Sequence, residues 1–172
     1  MAMPGGGSLG NYVIVRLFTD DGVEGLGEAT VLKEWGGDHG RYFGESPETT
    51  VRLITSTLGP ALEGCNPFDI EVAHQRMDTA VKGWPYAKTA LDEALHDIKG
   101  KVLGVPVHQL LGGLVRREVP IAHSLGWLDY DVAIEEATAA VAEGIRTIKI
   151  KVGRDADYDV RIVSEVRDAI GP

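Results

Sequence analysis

Thr147-Ile148-Lys149-Ile150-Lys151-Val152-Gly153, close to the end of the chain, alternates apolar and polar side chains. On a β-strand such alternation puts Ile148, Ile150 and Val152 on one face and Lys149 and Lys151 on the other. A helical pattern precedes this strand (129–143) and another follows it (157–170), with an earlier strand over 119–125. Strand, helix, strand, helix is the rhythm of a parallel sheet, either a βα barrel or a doubly wound fold, and such sheets are buried on both faces. On an open sheet the lysine pair reads as an ordinary solvated face. Inside a two-sided sheet it needs a chemical reason, because two ammonium groups a few ångströms apart disfavour each other's charge and leave one as a usable base near neutral pH.

Before Gly113 the texture differs. Tyr12–Thr19 and Val23–Ala29 are two alternating runs joined by Asp20-Asp21-Gly22, which predicts a hairpin. Glu28 closes its second strand and reads as a solvated end. A loop over 30–46, rich in glycine and aromatics and including Trp35 and Tyr42, has the length of a lid. A plain surface connection fits it equally well. Ser46-Pro47 opens a helix with a capping serine and an N1 proline, expected to stop before Gly59-Pro60. Asn66-Pro67-Phe68-Asp69 starts a second helix, ending near Lys82-Gly83, with Ile70, Ala73, His74 and Met77 on one face. His74 there reads as a hydrogen-bonded core histidine rather than a ligand. The longest helical pattern, Tyr86–Leu103, carries its alanines on the buried stripe, which calls for close packing against another element. His96 and Asp97, adjacent on it, project about 100° apart and make a poor catalytic pair. Val107–Leu111 forms one further short turn.

Composition sets the outer bounds. A net charge of -9 and a pI near 5.0 argue against a nucleic-acid partner, and 25% charged with 44% hydrophobic residues is an ordinary globular mixture with no membrane-length apolar run. One cysteine, Cys65, cannot form an internal disulfide, which fits the cytoplasm, and no histidine near it in sequence points to a nucleophile. Met1–Ser8 is glycine-rich, lacks the pattern of a signal peptide and reads as a leader.

Three stretches together carry a family resemblance. Asp20-Asp21-Gly22-Val23-Glu24-Gly25-Leu26-Gly27-Glu28-Ala29, the helix Ala87–Lys101 with Gly104-Val105-Pro106-Val107 and Leu110-Leu111-Gly112-Gly113 after it, and Lys149-x-Lys151 resemble the mandelate racemase and muconate lactonizing enzyme group of the enolase superfamily, nearest in flavour to muconate cycloisomerase. The resemblance implies an α+β capping domain over residues 1–114, followed over 115–172 by the first βαβα units of a modified (β/α)7β TIM-like barrel. It implies Mg²⁺, a small carboxylate substrate, a homo-oligomer, and removal of a proton next to the carboxylate through an enediolate. By position, Lys151 matches the general base or acid and Lys149 its partner; Trp35 and Tyr42 lie in the substrate-sorting loop, and His123 and Ser124 fall where barrel sites line a pocket.

Two departures accompany the match. The family's first capping strand should precede Tyr12, and its acidic metal ligands stand on barrel strands expected after Pro172. The residues following Leu114 are far fewer than the roughly 250 of a full barrel. The expectation is therefore that this polypeptide alone neither binds the metal nor catalyses. For the enzyme as a whole an isomerase of cycloisomerase, racemase or epimerase type is expected, with an acid-sugar dehydratase or a non-catalytic interaction module as the alternatives.

Overall fold

The computed structural model describes residues 11–31, 45–153 and 155–171, so the leader and the loop segment that holds Trp35 and Tyr42 lie outside the described residues. The chain divides into two compact units that part between Leu114 and Val115.

In the first unit, β1 (Asn11–Phe18) pairs antiparallel with β2 (Glu24–Val31), and the turn is closed where Thr19 N–H donates to the Val23 carbonyl. Val13, Val15, Ala29 and Val31 point inward, as the alternation predicts. Beneath them runs α4 (Pro85–Leu103), whose Ala87, Ala90, Leu91, Ala94, Leu95 and Ile98 are buried. Gly25 and Gly27 of β2 let this helix approach to backbone contact. A Cβ at Gly27 would lie 1.8 Å from the Ala90 carbonyl oxygen, and one at Gly25 would lie 2.1 Å from that of Ala94.

The outer edge of β2 is closed by side chains of α4. Glu28 N–H donates to Glu93 Oε2 and Leu26 N–H to Asp97 Oδ2, both at 2.9 Å, while Lys101 Nζ donates to the Glu24 carbonyl at 2.8 Å. Four residues of helix rise about 6 Å and two residues of strand about 6.6 Å, so side chains at 93, 97 and 101 meet strand groups at 28, 26 and 24 in step. An open strand edge is thereby covered without another strand. Burial pushes the Asp97 carboxyl up, but the Lys101 ammonium at 2.7 Å and the Leu26 N–H together outweigh it and hold the group below the usual carboxylate range. A carboxylate depressed in the folded state contributes stability above its unfolded value, and that contribution is lost as pH falls from about 4 through the folded one. Urea midpoints measured at pH 7 and pH 3 are expected to converge in Asp97→Asn relative to the parent protein; an unchanged difference would count against this linkage.

Helix α1 (Pro47–Leu53) starts at Ser46, whose hydroxyl and the Thr49 hydroxyl cap each other's backbone N–H groups. The expected stop before Gly59-Pro60 is not observed. A π-helical turn over Ile54–Leu58 carries the chain into α2 (Gly59–Leu62), with Gly59 N–H reaching back to the Ile54 carbonyl. Widening the turn relaxes the crowding that a proline ring imposes on the preceding turn of an α-helix, so Pro60 is accommodated. Helix α3 (Ile70–Ala80) buries Ala73 and Met77. His74 and Asp92 are 2.8 Å apart, so this histidine is hydrogen-bonded between α3 and α4 as expected, although its side chain is only partly buried. His96 Nδ1 instead contacts the Asp92 carbonyl and Asp97 turns to β2, so the adjacent pair does separate. Helix α5 (Val107–Leu110) is the short turn after Gly104, which ends α4 with φ +67°.

In the second unit β3 (Ala122–Leu125) and β4 (Thr147–Ile150) pair in parallel, joined by α6 (Tyr130–Ala142), and α7 (Ala156–Ile170) follows. The first strand begins three residues later than the sequence predicts, and Val119 and Ile121 are exposed. Leu125, Ala133, Ala137, Ile162 and Val166 form the core, with Ile148 and Ile150 packed against it. Within this unit, and among the described residues, helices cover one face of the two-stranded sheet. Lys149 and Lys151 are therefore exposed here, not enclosed as a sheet buried on both faces would make them.

Candidate functional site

The parallel register sets Ser124 beside Lys149 and Leu125 beside Ile150. Lys151 lies just past β4, but its N–H donates to the Leu125 carbonyl at 3.2 Å, which continues the ladder by one residue. Ser124, Lys149 and Lys151 consequently share the face that the helices leave open, at the C-terminal ends of two parallel strands. That rim is where α/β folds place their chemistry, because the loops that leave it are free of the packing that holds the strands.

His123 does not join them. Its Nε2 lies 2.8 Å from Glu136 Oε1 of α6, on the helix-covered face, which the strand alternation requires of a residue next to Ser124. Trp35 and Tyr42 fall outside the described residues. One aromatic that sequence reasoning does not single out is brought in: the Lys151 ammonium stands 4.2 Å from the centroid of the Trp127 ring. Its position directly after β3, on the first βα loop, is the one signal that could have found it.

Both loops at this rim are tethered. Tyr158 donates its hydroxyl to the Leu128 carbonyl, and its ring stacks on Tyr130 with centroids 5.0 Å apart. Gly153 N–H donates to Asp159 Oδ2 at 2.7 Å, and Asp155 caps α7 by accepting from Tyr158 N–H at 2.8 Å. A separate groove of about 670 Å³, lined by Val141, Ile148, Ile150, Val166 and Ile170 together with Arg146 and Arg167, opens on the helix-covered side of the same unit. No carboxylate or histidine lines it, so the lysine rim is the better candidate for proton chemistry.

Among the described residues no group of three or more His, Cys, Asp or Glu side chains is disposed to hold a metal ion. The magnesium that the resemblance implies therefore finds no ligand cluster in these residues. Nor is any helix among them long and apolar enough to cross a membrane.

Residues 5–112 match the N-terminal domain family of mandelate racemase and muconate lactonizing enzyme. The chain belongs to this family. Among curated members, an N-succinyl-L-Arg/Lys racemase of Bacillus cereus is 40% identical over 169 residues, which cover 95% of this chain and 44% of the racemase. Muconate cycloisomerase 1 of Pseudomonas putida is 37% identical over 164 residues, 91% of this chain and 42% of the enzyme. The crystal structure of the Bacillus cereus racemase superposes with a TM-score of 0.84 at 39% identity, covering 93% of this chain and 42% of the other. The chain thus spans less than half the length of these family members, and both are isomerases by name.

Proposed function

We propose that these residues supply the capping domain and the first two barrel strands of an isomerase of the racemase, epimerase or cycloisomerase type, acting on a small carboxylate. The observation that carries this reading is the side-by-side placement of Lys149 and Lys151 at the open C-terminal rim of parallel strands. Lys151, acting as the general base, takes the proton from the carbon next to the substrate carboxylate. The C–H electron pair passes into the carboxylate group, where negative charge grows, and the Lys149 ammonium on the same face stabilises that charge. Delivery of a proton to the opposite face of that carbon by a second acid gives racemisation or epimerisation; in cycloisomerisation a substrate carboxylate oxygen bonds to one carbon of a double bond, the π electron pair passes into the conjugated carboxylate, and the Lys151 ammonium donates its proton to the carbon beside that carboxylate. The likeness to a racemase of N-succinylated arginine and lysine makes N-acylated amino acids the first substrates to examine.

The full-length enzyme incubated in D₂O with N-succinyl amino acids, and separately with cis,cis-muconate, is expected to place deuterium on the carbon next to a carboxylate, read by NMR. Absence of any exchange across both classes, with the dehydration of acid sugars detected instead, would replace this reading by a lyase.

A further inference from the structure

We propose that Trp127 is a positioning residue for Lys151, holding its ammonium at the rim of the β3–β4 sheet and stabilising the charge that appears there during proton abstraction. The inference rests on the assignment of Lys151 as the base under Proposed function. A lysine side chain swings about four bonds, whereas proton transfer needs reacting atoms held within about 3.5 Å in one orientation. The ladder bond from Lys151 N–H to the Leu125 carbonyl fixes only the backbone. Among the described residues the Lys151 ammonium has no carboxylate partner, and what it faces is the Trp127 ring, 4.2 Å away.

An indole suits this task better than a carboxylate would. Its face attracts a cation through the ring quadrupole but offers no lone pair to compete for the proton. The attraction is weak for the neutral amine and strong for the ammonium, so it grows as the substrate proton moves from carbon to Nζ, and only interactions of that kind speed the step. Trp127 can act this way because its loop is anchored at both ends. Leu125 of β3 holds one end, and at the other the Leu128 carbonyl receives the Tyr158 hydroxyl while Asp129 begins α6. On the lysine side, Gly153 is tied to Asp159. Both tethers lead to α7, so the ring and the ammonium are referred to the same helix. Trp127 remains 48% exposed, which leaves the ring's substitution tolerable to the fold.

The test compares Lys151→Ala, Trp127→Leu and Trp127→Phe in the full-length enzyme, together with the NMR signal of ¹³C-methyl groups placed on Lys151 by reductive methylation. Trp127→Leu keeps an apolar side chain but removes the ring; it is expected to lower kcat roughly tenfold with little change in KM, while Trp127→Phe restores most of the loss. The Lys151 methyl signal is expected to lie upfield through the ring current and to return to the ordinary lysine position in Trp127→Leu. If Lys151→Ala keeps full activity, the assignment of the base fails and this inference with it. If Lys151→Ala is inactive while Trp127→Leu matches the parent in kcat and methyl shift, only the role of Trp127 is overturned. A rise in KM at constant kcat, or equal losses for leucine and phenylalanine, would likewise overturn it, by making the ring a substrate contact or a space filler.

Discussion

Lys151→Ala in the full-length enzyme is expected to lower kcat on the order of 10³-fold, the usual contribution of a positioned general base. Substrate binding should change far less, since on the proposed reading the carboxylate is held by charge and Lys149 remains. Lys151→Arg is the sharper control. It keeps the positive charge over Trp127 but cannot lose a proton, so it should be as inactive as alanine in proton exchange while binding substrate near the parental level. Lys149→Ala should behave differently, with weaker binding and a smaller loss of rate, because the part proposed for it is to stabilise charge and not to carry the proton. Steady-state kinetics and solvent deuterium exchange read both quantities. Near-full exchange by Lys151→Arg would remove Lys151 from the mechanism.

Gly27→Ala carries the largest expected effect on stability. The added methyl would sit 1.8 Å from the Ala90 carbonyl oxygen and 2.8 Å from its carbon. These are backbone atoms in the middle of α4, so no side chain can rotate away. The helix or the strand must move by about an ångström or more, and the hydrogen bonds from Glu28 N–H to Glu93 and from Leu26 N–H to Asp97 move with it. A cost of about 3 kcal/mol or more follows, a large share of the roughly 5–15 kcal/mol that holds a typical domain. Gly22→Ala supplies the contrast. Gly22 has φ +87° and nothing lies within 4 Å of the place its new methyl would take, so the cost is that of the left-handed backbone alone, about 1–2 kcal/mol. Urea unfolding of the two variants side by side measures the difference; equal midpoints would mean that α4 does not rest on β2 as closely as the structure has it.

The local pattern of the chain was legible where one residue's neighbours settle its conformation. Alternation over Tyr12–Ala29 and Thr147–Val152 marks strands because the pleat has period two, and Ser46-Pro47 marks a helix start because serine caps and proline has no N–H to lose. Pro60 misled for the same local reason: proline usually ends a helix, and only the chain around it shows that a π-helical turn absorbs the ring. The contact made by Glu45 was not legible. This residue is buried, accepts Tyr86 N–H at 2.8 Å and Ala87 N–H at 3.0 Å, and so caps α4 from a site 41 residues away that no local motif reports.

At the lysine rim the division is the same. That Lys149 and Lys151 share a face is dictated by their spacing, and the glycines at 25 and 27 and the alanines of α4 declare, by size alone, that something must pack closely there. Which partners meet is a different matter. Sending His123 to Glu136 and away from the lysines, setting the Trp127 ring under the Lys151 ammonium, and matching Glu93, Asp97 and Lys101 of one helix to the edge of β2 all depend on the register between elements distant in sequence. Periodicity is a property of the chain, but register is set by the burial of many side chains at once, and only the folded structure decides it.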